Sequence, residues 1–207
     1  MMRFVNTPSP TRSRAVALPP AERRAHIVAV TLPLILEHGT AVTTRQIAEA
    51  AGIAEGTIFG VFPDKDALID AVVEVALDPA PAEVELRAID ASGPLADRLV
   101  EAVDILRRKV TSVFELMSAV GMMSPAGPRT EMATRRKFPE LSVLAAVFEP
   151  DRVALRRTPL EAAYLLRGLT LVGTHPSLIL DEPMSSAEIV DLLLDGVRAR
   201  PPLDLTC

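Results

Sequence analysis

The sequence predicts an all-α protein built as a small N-terminal helical head on a larger helical body. Three observations predict it. Apolar residues make up 49% of the 207 positions while aromatics make up only 3% and Trp is absent. Leu, Val, Ala, Ile and Met must therefore fill the core, which favours packed helices over a sandwich. Apolar residues recur at three- and four-residue spacing along most of the chain, and no alternating runs joined by hairpin turns occur. Asp78-Pro79-Ala80-Pro81 interrupts that pattern, which divides the chain into an arm over 1–19, a head over 20–77 and a body over 78–207.

The arm carries Pro8, Pro10, Pro19 and Pro20, which forbid regular helix, and it reads as a flexible segment. A first helix is predicted over 21–38, with Ile27, Val30, Leu34 and Ile35 facing inward, a kink at Pro33 and a stop at Gly39. Two short helices follow within 43–61. A fourth helix begins around Pro63-Asp64-Lys65-Asp66 and runs to residue 77, with proline and acid placed where a helix start uses them. In the body a short helix is expected over 83–89. A long one is carried by Leu95, Leu99, Val103, Leu106, Val110, Val113, Met117 and Val120. Helices over 130–138 and 141–148, then 159–172 and 186–198, complete the chain.

The stretch 43–68, TTRQIAEAAGIAEGTIFGVFPDKDAL, is the most specific part of the sequence. Thr43 or Thr44 offers a hydroxyl to cap a helix, and Ile47, Ala48 and Ala51 then fall on one face. Gly52 stands where a chain leaving a helix tolerates positive φ. A second short helix from about residue 54 to 61 turns Ile58 and Val61 inward, with Ile53 in the corner. Two helices joined by a short glycine-containing turn form the unit whose second helix enters the major groove of DNA. Spacing alone is also met by an ordinary helical hairpin inside an all-α core.

Charge is unevenly spread. Residues 1–65 hold seven Arg and Lys against five Asp and Glu, a net of +2, and the remaining fifteen against twenty-two carry −7, within the chain's −5. A basic head on an acidic body suits a DNA reader joined to another module. The single cysteine, Cys207, permits neither an intrachain disulfide nor a cysteine metal cluster. No apolar run reaches the roughly twenty residues needed to span a bilayer, and 1–20 lacks the apolar core of a signal peptide. A cytoplasmic protein without cofactor or metal is expected. His26, His38 and His175 are scattered and no catalytic motif is present, so an enzyme is not expected.

With these helices placed, residues 21–77 resemble the TetR family of bacterial transcriptional regulators. The resemblance is carried by Gly39, the run T-T-R-Q-I-A-E-A-A-G-I from Thr43, E-G-T-I-F from Glu55 and F-P-D-K-D-A-L from Phe62. It covers a little over a quarter of the chain. It implies a ligand-responsive homodimeric repressor that binds a palindromic double-stranded operator and is released by a small apolar or amphipathic effector. The last two helices would pair with those of a partner through Leu165, Leu169 and Val172, and Ile189, Leu192, Leu193 and Val197. The same stripes also suit an intrachain core. On the DNA side the resemblance points to Thr43, Thr44 and Arg45 at a phosphate or the groove edge, Glu55, Gly56, Thr57 and Phe59 on the recognition helix, with Thr57 on a phosphate or a thymine methyl, and Lys65 on a phosphate. For the effector the candidates are Phe114, Met117, Met123, Met132, Tyr164 and His175, with Arg167 for an anionic group.

Departures from the family's pattern carry their own expectation. Phe59 stands where Tyr is frequent, Gly60 where a larger polar or basic residue is frequent, and Val61 where His or Tyr is common. Direct base readout should be thin and sequence discrimination lower than usual, with more reliance on phosphate contacts, operator shape and Arg3, Arg12 and Arg14 of the arm. A helical dimer of the same fold that has lost specific DNA recognition, and binds only a ligand or a protein, is the alternative.

Overall fold

The computed structural model describes residues 19–121, 139–179 and 182–197, and among them there are helices and turns but no β-strand. The expected arm, the 130–138 helix, Met123, Met132 and Cys207 lie outside the described residues.

Helix α1 (Pro20–His38) runs unbroken through Pro33. The carbonyl that Pro33 leaves without a donor belongs to Ala29, which is exposed, so water can satisfy it. Its buried face is Ile27, Val28, Thr31 and Ile35, turned slightly from the expected one. Thr31 is buried because its hydroxyl donates to the Ile27 carbonyl at 2.7 Å. A 3₁₀ turn (Gly39–Ala41) leads to α2 (Thr44–Ala51), α3 (Glu55–Phe59) and α4 (Lys65–Leu77). In α4 the Asp64 carboxylate caps the start by accepting the Ala67 N–H at 2.7 Å.

Beyond Pro79 come α5 (Ala80–Ala88) and the 25-residue α6 (Leu95–Ala119), then α7 (Leu141–Ala146) and a 3₁₀ segment (Glu149–Ala154). Helices α8 (Pro159–Thr174) and α9 (Ser186–Val197) follow. Thr158 and Glu161 form a reciprocal capping box at the start of α8, the local reason that this helix begins where it does.

Two buried clusters organise the molecule. One joins α5, most of α6, α7, α8 and α9, with Leu99, Val103, Phe148, Leu166, Ile189 and Leu193 among its members. The other gathers the head around Ile27, Ile35, Ile47, Ile58, Leu68 and Val72, and it also takes Leu116, Met117 and Val120. Helix α6 thus belongs to both cores: its C-terminal turns complete the head that the sequence ends at residue 77. Two further contacts tie the units. The Lys109 ammonium donates to the carbonyls of Ala76 at 2.6 Å and Asp78 at 2.5 Å, at the C-terminal end of α4. Gly39 adopts φ 60° where a Cβ would lie 2.9 Å from the Ala119 carbonyl oxygen.

Candidate nucleic-acid interface

The helix pair at 44–59 is set by caps at both ends of α2. Thr43 accepts the Gln46 N–H at 3.2 Å while the Gln46 side chain accepts the Thr43 N–H at 2.8 Å. Two orphan N–H groups are thereby satisfied at once. At the other end Gly52 takes the left-handed conformation, φ 65° and ψ 31°, and its N–H returns to the carbonyls of Ala48 and Glu49. Ile53 is drawn into the corner by its N–H bond to Ala48 O at 3.0 Å and packs on the head core. Helix α3 is only five residues long, with Ile58 buried beneath it.

The expected DNA-facing residues come together on this surface, but several are already engaged. Thr43 is the cap. The Thr44 hydroxyl donates to Glu55 Oε1 at 2.5 Å, joining the starts of α2 and α3. Arg45 is exposed and makes no hydrogen bond or ion pair among the described residues. Gly56 meets nothing within 4 Å of the position a Cβ would take, and Thr57 is half-buried. Phe59 is 51% exposed. Lys65 departs most from its expected use: its ammonium donates to the carbonyls of Thr40 at 2.8 Å and Val42 at 3.3 Å. With two of three N–H groups committed, it clamps the turn before α2 onto the start of α4 and keeps one donor for an anion.

One cation near this surface escaped the sequence reading. Arg24 of α1 lies over the Phe62 ring, 5.1 Å from its centroid. Lys109 was missed as well, although a lysine amid the apolar stripe of α6 was a visible signal. Desolvation holds its ammonium below the ordinary lysine value, opposed by the Asp78 charge.

The candidate effector residues that are described do not form one site. Phe114 and His175 meet edge to face with centroids 4.8 Å apart, and Thr174, next to His175 in the chain, is 6% exposed with no hydrogen-bond partner for its hydroxyl among the described residues. Tyr164 and Arg167 form a second pair, the guanidinium 5.8 Å from the ring centroid, about three turns away along α8. Tyr164 lines an open depression of about 420 Å³ with Leu141, Arg157, Leu160, Glu161 and Leu165. Met117 is 2% exposed and packs in the head core; it is structural filling between α6 and the head and lines neither place. Of the stripes on α8 and α9, Ile189 and Leu193 are buried in the body core with Leu169 against it, whereas Leu165, Val172 and Leu192 stand outward. The side chain of Val197 lies outside the described residues. Among the described residues no group of three His, Cys, Asp or Glu could hold a metal ion, and no helix is long and apolar enough to cross a membrane.

Residues 27–72 match the family described as bacterial regulatory proteins, tetR family. Solved structures share the fold over most of the chain. Reduced NemR from E. coli is 21% identical, with 86% of this chain and 99% of that one covered and a TM-score of 0.56. SmeT in complex with triclosan is 20% identical, covering 86% and 92%, with a TM-score of 0.54. A TetR transcriptional regulator from Streptomyces coelicolor is 23% identical, covering 86% and 99%, with a TM-score of 0.50. No curated protein matches the sequence.

Proposed function

We propose, from the match of residues 27–72 to the tetR family of bacterial regulatory proteins, that the protein is a homodimeric, ligand-responsive repressor acting on a palindromic operator in the cytoplasm. The observation that carries the proposal is the α2–α3 pair: a doubly capped helix, a left-handed glycine turn and a short helix with Arg45 exposed beside it, inside the matched segment. Such a unit sets its second helix in the major groove, and two of them related by a dimer axis read half-sites one helical turn apart. The exposed apolar groups Leu160, Tyr164, Leu165, Val172 and Leu192 on α8 and α9 support pairing with a second copy through those helices. The triclosan bound by SmeT supports an apolar effector. The buried Thr174 hydroxyl, next to His175 in the chain and without a partner among the described residues, supports placing one polar group of that effector there. Effector binding that favours one spacing of the heads shifts the DNA-competent population.

A second reading, a dimer of this fold without specific DNA recognition, is favoured by the committed state of Thr43, Thr44 and Lys65. Anisotropy titration of the purified full chain with its own upstream DNA and with a scrambled duplex, at 50 and 200 mM salt, separates the two. The repressor binds the upstream duplex at least about a thousandfold more tightly than the scrambled one, and an effector from a metabolite pool weakens that binding. Equal, weak binding to both duplexes supports the second reading.

A further inference from the structure

The exposed face of α3 is nearly bare. Phe59 is its projecting side chain, flanked at helical spacing by Gly56 three residues before and Gly60 directly after. Neither glycine would bring a Cβ near anything outside its own helix: nothing lies within 4 Å at Gly56, and at Gly60 the nearest atom is Thr57 O at 3.4 Å. Ile58 occupies the opposite, buried side. Glu55, one turn earlier, is held by the Thr44 hydroxyl. The ring therefore stands alone on a stretch of backbone that can approach another surface closely, and it has no polar atom.

Resting on the DNA-binding reading above, we propose that Phe59 is a specificity-determining residue that reads thymine through its C5-methyl group in the major groove. The major-groove edge of an A·T pair presents one apolar group, the thymine methyl, and an apolar side chain is the chemistry that recognises it. The flanking glycines let the helix backbone sit deep enough for the ring to reach that methyl. Arg45 supplies a cation at the groove edge, where it contacts phosphate and fixes register without selecting sequence. The recognition helix then selects by an apolar contact in place of hydrogen bonds, which accounts for the absence of a donor side chain at 59 and 60.

The test replaces thymidine by deoxyuridine, position by position, in the duplex the full chain binds best within its own upstream DNA. Uracil keeps every hydrogen-bonding group and lacks only the methyl. One symmetry-related pair of substitutions is expected to weaken binding about fourfold per half-site and about fifteenfold together, the equivalent of one buried methyl each. Phe59→Ala, whose far-UV circular dichroism checks that the head is folded, should reduce that ratio to about one, and Phe59→Leu should retain most of it. Tolerance of deoxyuridine at every position alongside sequence-specific binding overturns this inference alone, as does an unchanged ratio in folded Phe59→Ala. Equal weak binding to any duplex overturns the DNA-binding reading and this inference with it.

Discussion

Gly39 and Gly52 both have positive φ, at 60° and 65°, yet alanine should cost very different amounts at the two. Gly52 has ψ 31°, the left-handed helical region, and open space around the position of a Cβ. Placing an L-residue there costs roughly 1–2 kcal/mol, offset by roughly 0.4–1 kcal/mol from the stiffer unfolded chain, a net loss of about 1 kcal/mol. Gly39 has ψ −147°, a region that essentially only glycine adopts, worth roughly 1–3 kcal/mol of strain. Its Cβ would also meet the Ala119 carbonyl oxygen at 2.9 Å. That atom is backbone at the end of α6, so relief requires moving the head against α6, at a further cost of roughly 1–3 kcal/mol. Gly39→Ala should therefore lose about 3–4 kcal/mol after the same unfolded-state offset. In urea, with a slope near ~3 kcal/mol/M, the midpoint followed by far-UV circular dichroism should fall by ~1 M for Gly39→Ala and by ~0.3 M for Gly52→Ala. Equal midpoints for the two variants would refute the claim that α6 presses on the turn after α1.

Further expectations concern the polar groups that the helices bury. Arg98, 4% exposed, donates to the Val147 carbonyl at 3.1 Å and to Asp151 at 2.5 Å, and also to Gly93 O. Arg98→Met should destabilise by about 3 kcal/mol or more in the same urea titration, because Asp151 loses its partner and the Val147 carbonyl is left buried without a donor. Lys109→Met keeps the apolar stem but releases the carbonyls at the end of α4. Discounted for half exposure, its loss should be about 1–2 kcal/mol, and a midpoint equal to wild type would show that the clamp is idle. Glu161 and Glu188 lie below the ordinary glutamate value, first because they accept the N–H groups of Thr158 and Ser185, then the hydroxyls of the same residues. Folded values below unfolded ones mean stability that is present above the unfolded pKa and lost as pH falls through the folded one. Thermal scans from pH 6 down to 3 should show Glu161→Gln with Glu188→Gln losing less stability than wild type below about pH 4.5, while differing little at pH 7, since glutamine keeps the acceptor. Parallel curves would remove the two caps from the acid response.

The helices and their ends were legible along the chain because the forces that place them act within a few residues. Thr43 three positions before Gln46, Gly52 after Ala51, Asp64 before Lys65 and the apolar spacing from Leu99 to Val120 all specify local geometry without reference to the rest of the fold. Thr31 is absent from the predicted inner face of α1 because periodicity counts apolar residues, whereas a hydroxyl bonded to its own preceding turn is buried as readily as an alkyl group. The residues expected to face DNA were legible as neighbours on one surface, since a short helix after a glycine turn exposes a predictable face, but the occupation of each side chain was not.

Partnerships across the fold needed the packed structure. Lys65 finds the carbonyls of Thr40 and Val42 only once the turn after α1 is laid against α4. Met117 joins the head core only because α6 reaches back past the body. Phe114 with His175, and Tyr164 with Arg167, separate into two places because α8 carries its members about three turns apart. Periodicity and capping are local and so are written in the order of residues. A long cation's partner or a methionine's core depends on how helices cross, and that is decided by the summed burial of all of them.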